Sequence, residues 1–120
     1  MATLTATLKE RLARSQEIKI SVIGRKSGKK ISMPVWFVLE REKLYLLPVA
    51  GSKTQWYNNV LANPTIEIHA GGASGEFGAT PIKDAKAVES VVDKFRKKYG
   101  ASDVKKYYSG LDVAVLVNLK

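Results

Sequence analysis

Six short runs between Glu17 and Leu119 either alternate apolar and polar residues or are dense in β-branched and aromatic ones, and turn-forming residues separate them. Such runs are the signature of half-buried strands. Glu17–Ile23 sets Ile18, Ile20 and Val22 on one face and Lys19 and Ser21 on the other; Ile31–Leu39 and Lys43–Val49 follow after tight turns. These three predict an antiparallel meander. Thr65–Ala70, Ser74–Ile82 and Asp112–Leu119 supply the rest. Pro34, early in its run, suggests an edge or a bulge, and Gly75 and Gly78 suggest a bend or bulge in a curved sheet. Six short strands with glycine-marked bends predict an α+β chain. Its expected form is a small closed or split barrel of about six mainly antiparallel strands with helices at its ends.

The intervening segments read as helices. Leu4, Leu8 and Leu12 recur at i, i+4 and i+8, which predicts an amphipathic helix opening near Thr3 or Thr5; its stripe could cover a barrel end, pack on a partner subunit or touch a membrane, and packing is the favoured reading. Ser52-Lys53-Thr54-Gln55 has capping-box spacing ahead of a helix in which Trp56 meets Val60 and Tyr57 meets Leu61, with Asn63-Pro64 as the stop. Asp84 is placed to cap a helix carrying Val88, Val91, Val92, Phe95 and Tyr99, ended by Gly100. A short helical piece is expected around Val104, Tyr107 and Tyr108. At 120 residues the chain fits one domain, 1–120. With no cysteine it can form no disulfide, thiolate zinc site or cysteine nucleophile. The first fifteen residues lack an apolar leader core, and no run is long enough to span a membrane, so the expected location is the cytoplasm.

Twenty basic residues against 11 acidic ones give a net charge of +9, which suits an anionic partner without choosing among nucleic acid, acidic lipid and a polyanionic small molecule. The basic run Lys94, Arg96, Lys97 and Lys98 falls late in a helix, where cations favour the dipole, and reads as a solvated helix end. Lys29 and Lys30 crowd a different feature. Gly24-Arg25-Lys26-Ser27-Gly28 frames cations and a hydroxyl between two glycines, so backbone N–H groups and charged side chains could converge on phosphate or carboxylate oxygens. The same residues also describe a plain polar hairpin turn.

Three blocks in order, Gly24–Gly28, Pro34-Val35-Trp36-Phe37 and Gly51-Ser52-Lys53-Thr54-Gln55-Trp56-Tyr57-Asn58-Asn59-Val60-Leu61-Ala62-Asn63-Pro64, resemble the deazaflavin-dependent nitroreductase family. That family belongs to the flavin- and deazaflavin-binding split barrels related to pyridoxamine phosphate oxidases. The resemblance implies an oxidoreductase that binds coenzyme F420 and passes hydride to a quinone, nitro compound or similar electrophile, often as a homodimer. It also assigns residues. Arg25, Lys26 and Ser27, with Gly28 in the turn, would hold the phosphate and nearby carboxylates; Lys29 and Lys30 would meet the glutamate tail; Ser52 and Lys53 would contribute at the start of the second helix. Trp36 and Trp56, with Phe37 and Tyr57 as further candidates, would line the ring. Trp36 and Phe37 point to opposite faces of one strand, so only one of them can line a given pocket. Trp56 and Tyr57 also read as core residues, and Ser52 as a cap alone. Tyr107 and Tyr108 are the candidates to donate a hydrogen bond to the acceptor. One departure is that the Ser52-Lys53 block runs directly into Trp56-Tyr57, where several nitroreductases are longer.

The remaining residues leave other readings open. An FMN-binding split barrel would keep the fold but leave Lys29 and Lys30 without tail carboxylates. A non-catalytic barrel binding nucleic acid through basic loops and stacking aromatics would bind with a steep salt dependence, although no RNA-binding signature is present. His69, the sole histidine, on the polar face of its strand, is expected to face solvent rather than act in catalysis, with no second ligand to support a metal.

Overall fold

The structure, a computed structural model, describes residues 4–119. The elements are α1 (Leu4–Ala13), β1 (Glu17–Ile23), β2 (Lys30–Glu40), β3 (Lys43–Leu46), a 3-10 turn (Gly51–Lys53), α2 (Gln55–Ala62), β4 (Thr65–Ala70), β5 (Ala73–Ile82), α3 (Ala85–Tyr99), α4 (Ala101–Tyr107) and β6 (Ala114–Asn118). The strands close in the order β1-β2-β3-β6-β5-β4, every neighbour antiparallel. The expected six-stranded α+β barrel forms. Thr3 and the Leu4 side chain, part of the expected first helix stripe, lie outside the described residues.

Closure depends on two long strands that change partner midway. Residues 30–36 of β2 pair with β1 and residues 37–40 with β3, while β5 pairs with β4 up to Gly78 and with β6 from Ala79. Register runs unbroken from Thr65↔Gly78 to Ala70↔Ala73, so Gly75 and Gly78 mark no bulge. Gly75 has a different cause: a Cβ there would come within 2.9 Å of the Phe77 ring. Pro34 sits in the half of β2 that has only β1 beside it, an edge position where a missing N–H breaks no ladder. Gly71 and Gly72, with φ of 53° and 87°, make the two-residue turn between β4 and β5.

Alternate positions face inward, including Ile18, Ile20, Val22, Leu44, Leu46, Ile66, Ile68, Val115 and Val117. Leu8 and Leu12 of α1 join this core, as do Trp56, Tyr57 and Val60 of α2. Each such side chain taken fully out of water contributes about 1.5–3 kcal/mol before entropy is counted. A second cluster lies outside the barrel, where Val88, Val91, Val92 and Phe95 of α3 and Val104 of α4 cover Val38, Leu47 and the half-buried Trp36. Asp84 caps α3, its Oδ2 accepting from Ala87 N at 3.0 Å, and Gly100 ends it at a φ of 97°.

The basic end of α3 is solvated only in part, with Lys97 exposed and Arg96 paired within its own helix. Lys94 pairs with Glu40 at 3.0 Å, Arg96 holds Asp93 and Glu89, and Lys98 Nζ donates to Phe37 O at 2.7 Å while lying 3.6 Å from the Phe37 ring centre. The lysine stem reaches over an apolar ring and ends on a strand carbonyl, so the helix is fastened to β2. β3 and β6 are shorter than their apolar runs. Residues 47–54 and 109–113 leave the barrel together, Val49 O accepting from Ser109 N and Gly110 N.

Candidate functional site

Those departing segments open a groove of about 490 Å³ beside the unpaired half of β2. Trp36 from β2, Trp56 and Thr54 from the start of α2, and Tyr107 and Tyr108 from the end of α4 line it, with Glu17 at β1. Larger recesses beside the β4–β5 hairpin and the β2–β3 turn, about 720 and 660 Å³, lack this gathering of rings. Trp36 and Phe37 do point to opposite faces, the first to the groove and the second, 1% exposed, into the barrel.

Tyr99 fixes the Trp36 indole. The two rings stack 4.2 Å apart and 5° from parallel, while Tyr107 meets Trp36 edge-on at 5.5 Å. The Tyr99 hydroxyl is itself anchored. It accepts from Phe37 N at 3.1 Å and lies 2.6 Å from Gln16 O and 2.9 Å from Phe37 O, to either of which it donates. Burial, with a smaller push from the Glu17 charge, raises its pKa to about 12 against the opposing Phe37 backbone bond. Tyr108 is buried and its pKa is raised further, again mainly by desolvation, so its phenol keeps its proton. Tyr107 is 51% exposed. The two expected tyrosines therefore differ, one a buried donor and the other an open edge. No sequence pattern flags Tyr99, because its partners are more than 60 residues away.

The glycine turn lies on another side of α2. Gly28 N donates to Gly24 O at 2.8 Å, and Gly28 has a φ of 71°. Arg25 turns back onto the helix, its guanidinium 2.7 Å from Asn59 Oδ1 and 2.8 Å from Gln55 Oε1, with Arg25 N also donating to Asn59 Oδ1. Ser27 Oγ accepts from Lys29 N within the turn. Lys26 and Lys29 are exposed, whereas Lys30, expected to be free for a ligand, pairs with Glu67 at 3.3 Å. Gln55 sits between Thr54 and Trp56, so the Arg25–Gln55 bond connects the turn with the groove.

The capping box at Ser52 does not form. Ser52 belongs to the 3-10 turn, and its Oγ donates to Asp112 Oδ2 at 2.6 Å while its N donates to Oδ1 at 2.9 Å, which holds the Asp112 carboxyl below its ordinary pKa. Thr54 is the N-cap of α2 but makes no side-chain cap bond, its Oγ1 accepting from Ala50 N instead. A competing carboxylate from the β6 approach, 60 residues on, has taken the serine. Lys53 remains exposed at the same end of α2.

Other polar groups lie apart from the groove. His69 is less solvated than its position suggests, with Nε2 2.6 Å from Glu67 Oε1 and 3.1 Å from Ser21 Oγ. Among the described residues no group of three or more His, Cys, Asp or Glu could hold a metal, and no helix is long and apolar enough to cross a membrane. The Tyr57 hydroxyl is buried without a hydrogen-bond partner among the described residues, and burial, followed by the Asp112 charge, raises its pKa.

A small split barrel with an aromatic groove beside its opened edge is the class of protein defined by these elements. Within that class the chain belongs to the family described as an uncharacterized protein conserved in bacteria (DUF2255), whose model matches residues 8–113. No curated protein matches it in sequence. Among solved structures it is similar to an F420-H2 dependent reductase (FDR-A), at 23% identity over 86% of this chain and 94% of the other, TM-score 0.67. It is also similar to a Listeria innocua protein provisionally described as a pyridoxamine 5′-phosphate oxidase, at 13% identity, 97% and 92% coverage and TM-score 0.67. The heme storage protein HutZ of Vibrio cholerae is comparable, at 13% identity, 96% and 89% coverage and TM-score 0.67. At these identities the likeness is one of fold.

Proposed function

We propose that this chain is a reductase that seats the ring of coenzyme F420 in the groove between Trp36, Trp56 and Tyr108 and passes hydride to a quinone, nitro compound or similar electrophile. The observation that carries the reading is the connection of an aromatic groove to a basic turn through Gln55 and Arg25. A flat ring bearing an anionic tail needs both features side by side. The donor set fits such a group. Lys26, Lys29 and Lys53 are exposed cations, and the first turn of α2 presents N–H groups with no side-chain cap. Arg25 and Ser52 act one step back, holding the turn and the 3-10 segment in place.

Bound there, the coenzyme supplies the hydride, so the protein need not provide an acid–base pair. Trp36, held by Tyr99, fixes one wall of the groove; Trp56, 5% exposed, fixes another from the core. Tyr107 is the group open to an incoming acceptor, and Tyr108 keeps a phenolic proton available for a hydrogen bond. A homodimer, in which a second copy completes the mouth of the groove, belongs to the same proposal.

FMN is the second reading, and one observation favours it. Lys30 is committed to Glu67, which leaves fewer cations for a glutamate tail than the sequence promised. Fluorescence titration with each coenzyme at two salt concentrations, followed by anaerobic turnover with quinone and nitroarene acceptors, tests the proposal. Salt-weakened micromolar binding and acceptor-dependent oxidation of the reduced coenzyme are expected. Binding of neither coenzyme would overturn it.

A further inference from the structure

The charge inside the groove is opposite to the charge of the protein. In a chain of net charge +9, the groove is lined by apolar and aromatic side chains, by Thr54 and by a single ionisable carboxylate, Glu17, with no lysine or arginine in its wall. Glu17 forms no ion pair among the described residues, and its charge is felt at the Tyr99 hydroxyl that braces Trp36. Lys106 Nζ lies 5.3 Å from the centre of Tyr107 but outside the lining. Aromatic faces attract cations through their quadrupole, and a carboxylate beside them adds attraction for a cation and repulsion for an anion.

We infer that the groove selects a planar conjugated organic cation, an N-alkylated heteroaromatic or iminium-type compound, over an anionic ring of the same size. The inference rests on the proposed reductase, in which the acceptor enters the Tyr107 side of the groove against the seated coenzyme ring, and it names the acceptor's charge. Glu17 is the specificity-determining residue and Tyr107, the exposed ring of the lining, the stacking surface. No lysine or arginine lines the groove to balance negative charge on the acceptor, whereas a positively charged acceptor meets Glu17 as its counter-ion.

The test needs no coenzyme. Binding of N-methylquinolinium, quinoline and 2-naphthoate to the full chain is followed at neutral pH by tryptophan fluorescence in moderate salt. The global charge by itself favours the naphthoate, so a cation preference can only be local. The account expects the cation to bind about fivefold tighter than the neutral ring, with the anion weakest, and Glu17→Gln to remove that advantage. Glu17 is exposed, so the variant tests charge without disturbing the core. Equal binding of the three probes, preference for the anion, or an unchanged ratio in Glu17→Gln would overturn the inference. Failure here alongside normal F420 or FMN binding leaves the reductase reading standing; the converse result removes the reductase reading and with it the acceptor role, leaving the groove's charge preference as a binding property.

Discussion

Replacing Tyr99 by Phe isolates the bracket that holds the groove wall. The substitution keeps the ring stacked 4.2 Å from Trp36 but deletes the hydroxyl that accepts from Phe37 N and donates to Gln16 O or Phe37 O. Phe37 O still receives Lys98, whereas Phe37 N loses the partner identified for it outside the ladder. One hydrogen bond lost and one part-buried N–H left unsatisfied together cost about 2 kcal/mol. For a chain of this length that corresponds to a Tm lower by about 8 °C. Calorimetry and urea unfolding, treated as two-state, measure it directly. pH adds a second signature. The Tyr99 pKa is raised from 10.0 to about 12, so the folded state holds this proton more tightly than the unfolded chain. Its contribution is fully present below about pH 10 and is lost as pH climbs from there towards 12. Lys98, whose pKa is lowered by burial, acts in the opposite sense, so the comparison must be wild type against Tyr99→Phe, with Lys98 common to both. The variant should lose less stability over that window. An unfolding free energy within about 0.5 kcal/mol of wild type would refute the bracket, given the roughly 1–3 kcal/mol cost of a buried unpaired donor.

Other substitutions separate binding from positioning. Lys26→Ala and Lys53→Ala should weaken coenzyme affinity more at low salt than at high salt, because their charges are exposed; equal salt slopes in variant and wild type would count against them as ligands. Arg25→Ala should instead lower thermal stability by breaking the bonds to Asn59 and Gln55, with affinity lost at both salt concentrations. A purely salt-dependent defect would show Arg25 to be a direct contact. Gly110→Ala would bring a Cβ within 2.8–2.9 Å of the Ala50 and Gly51 backbone, so unfolding measurements should show a loss of about 1–3 kcal/mol. A neutral result would mean that residues 109–113 can move away from Val49 at little cost.

The parts of the fold visible in the sequence were those set by local periodicity. Ile18-Ile20-Val22 and the Asp84 cap are decided within a few residues, and both appear where expected. Misreadings arose where a distant group outcompeted a local rule. Ser52 has capping-box spacing, yet Asp112 arrives from the β6 approach and takes its hydroxyl. Lys30 and Lys98 read as solvated, but closure of the barrel sets one beside Glu67 and docking of α3 sets the other on Phe37. The glycines of β5 suggested a bend or bulge; the register excludes the bulge, and Gly78 stands where the strand changes partner, which strand composition does not reveal. At the groove, Trp36, Trp56, Tyr107 and Tyr108 could be named individually, whereas Tyr99 and Glu17 matter only through the tertiary neighbours that the fold gives them.

The central claim, that a flavin or deazaflavin ring sits between Trp36 and Trp56, meets its most direct test in the indole N–H resonances. The chain has two tryptophans and both line the groove, so two signals in a nitrogen–proton correlation spectrum report on the site. Titration with F420, and separately with FMN, should move both signals in step with binding, through the short-range ring current of a stacked coenzyme. Binding detected by the coenzyme's own emission while both indole signals stay in place, or shifts confined to the face around His69, would contradict the account.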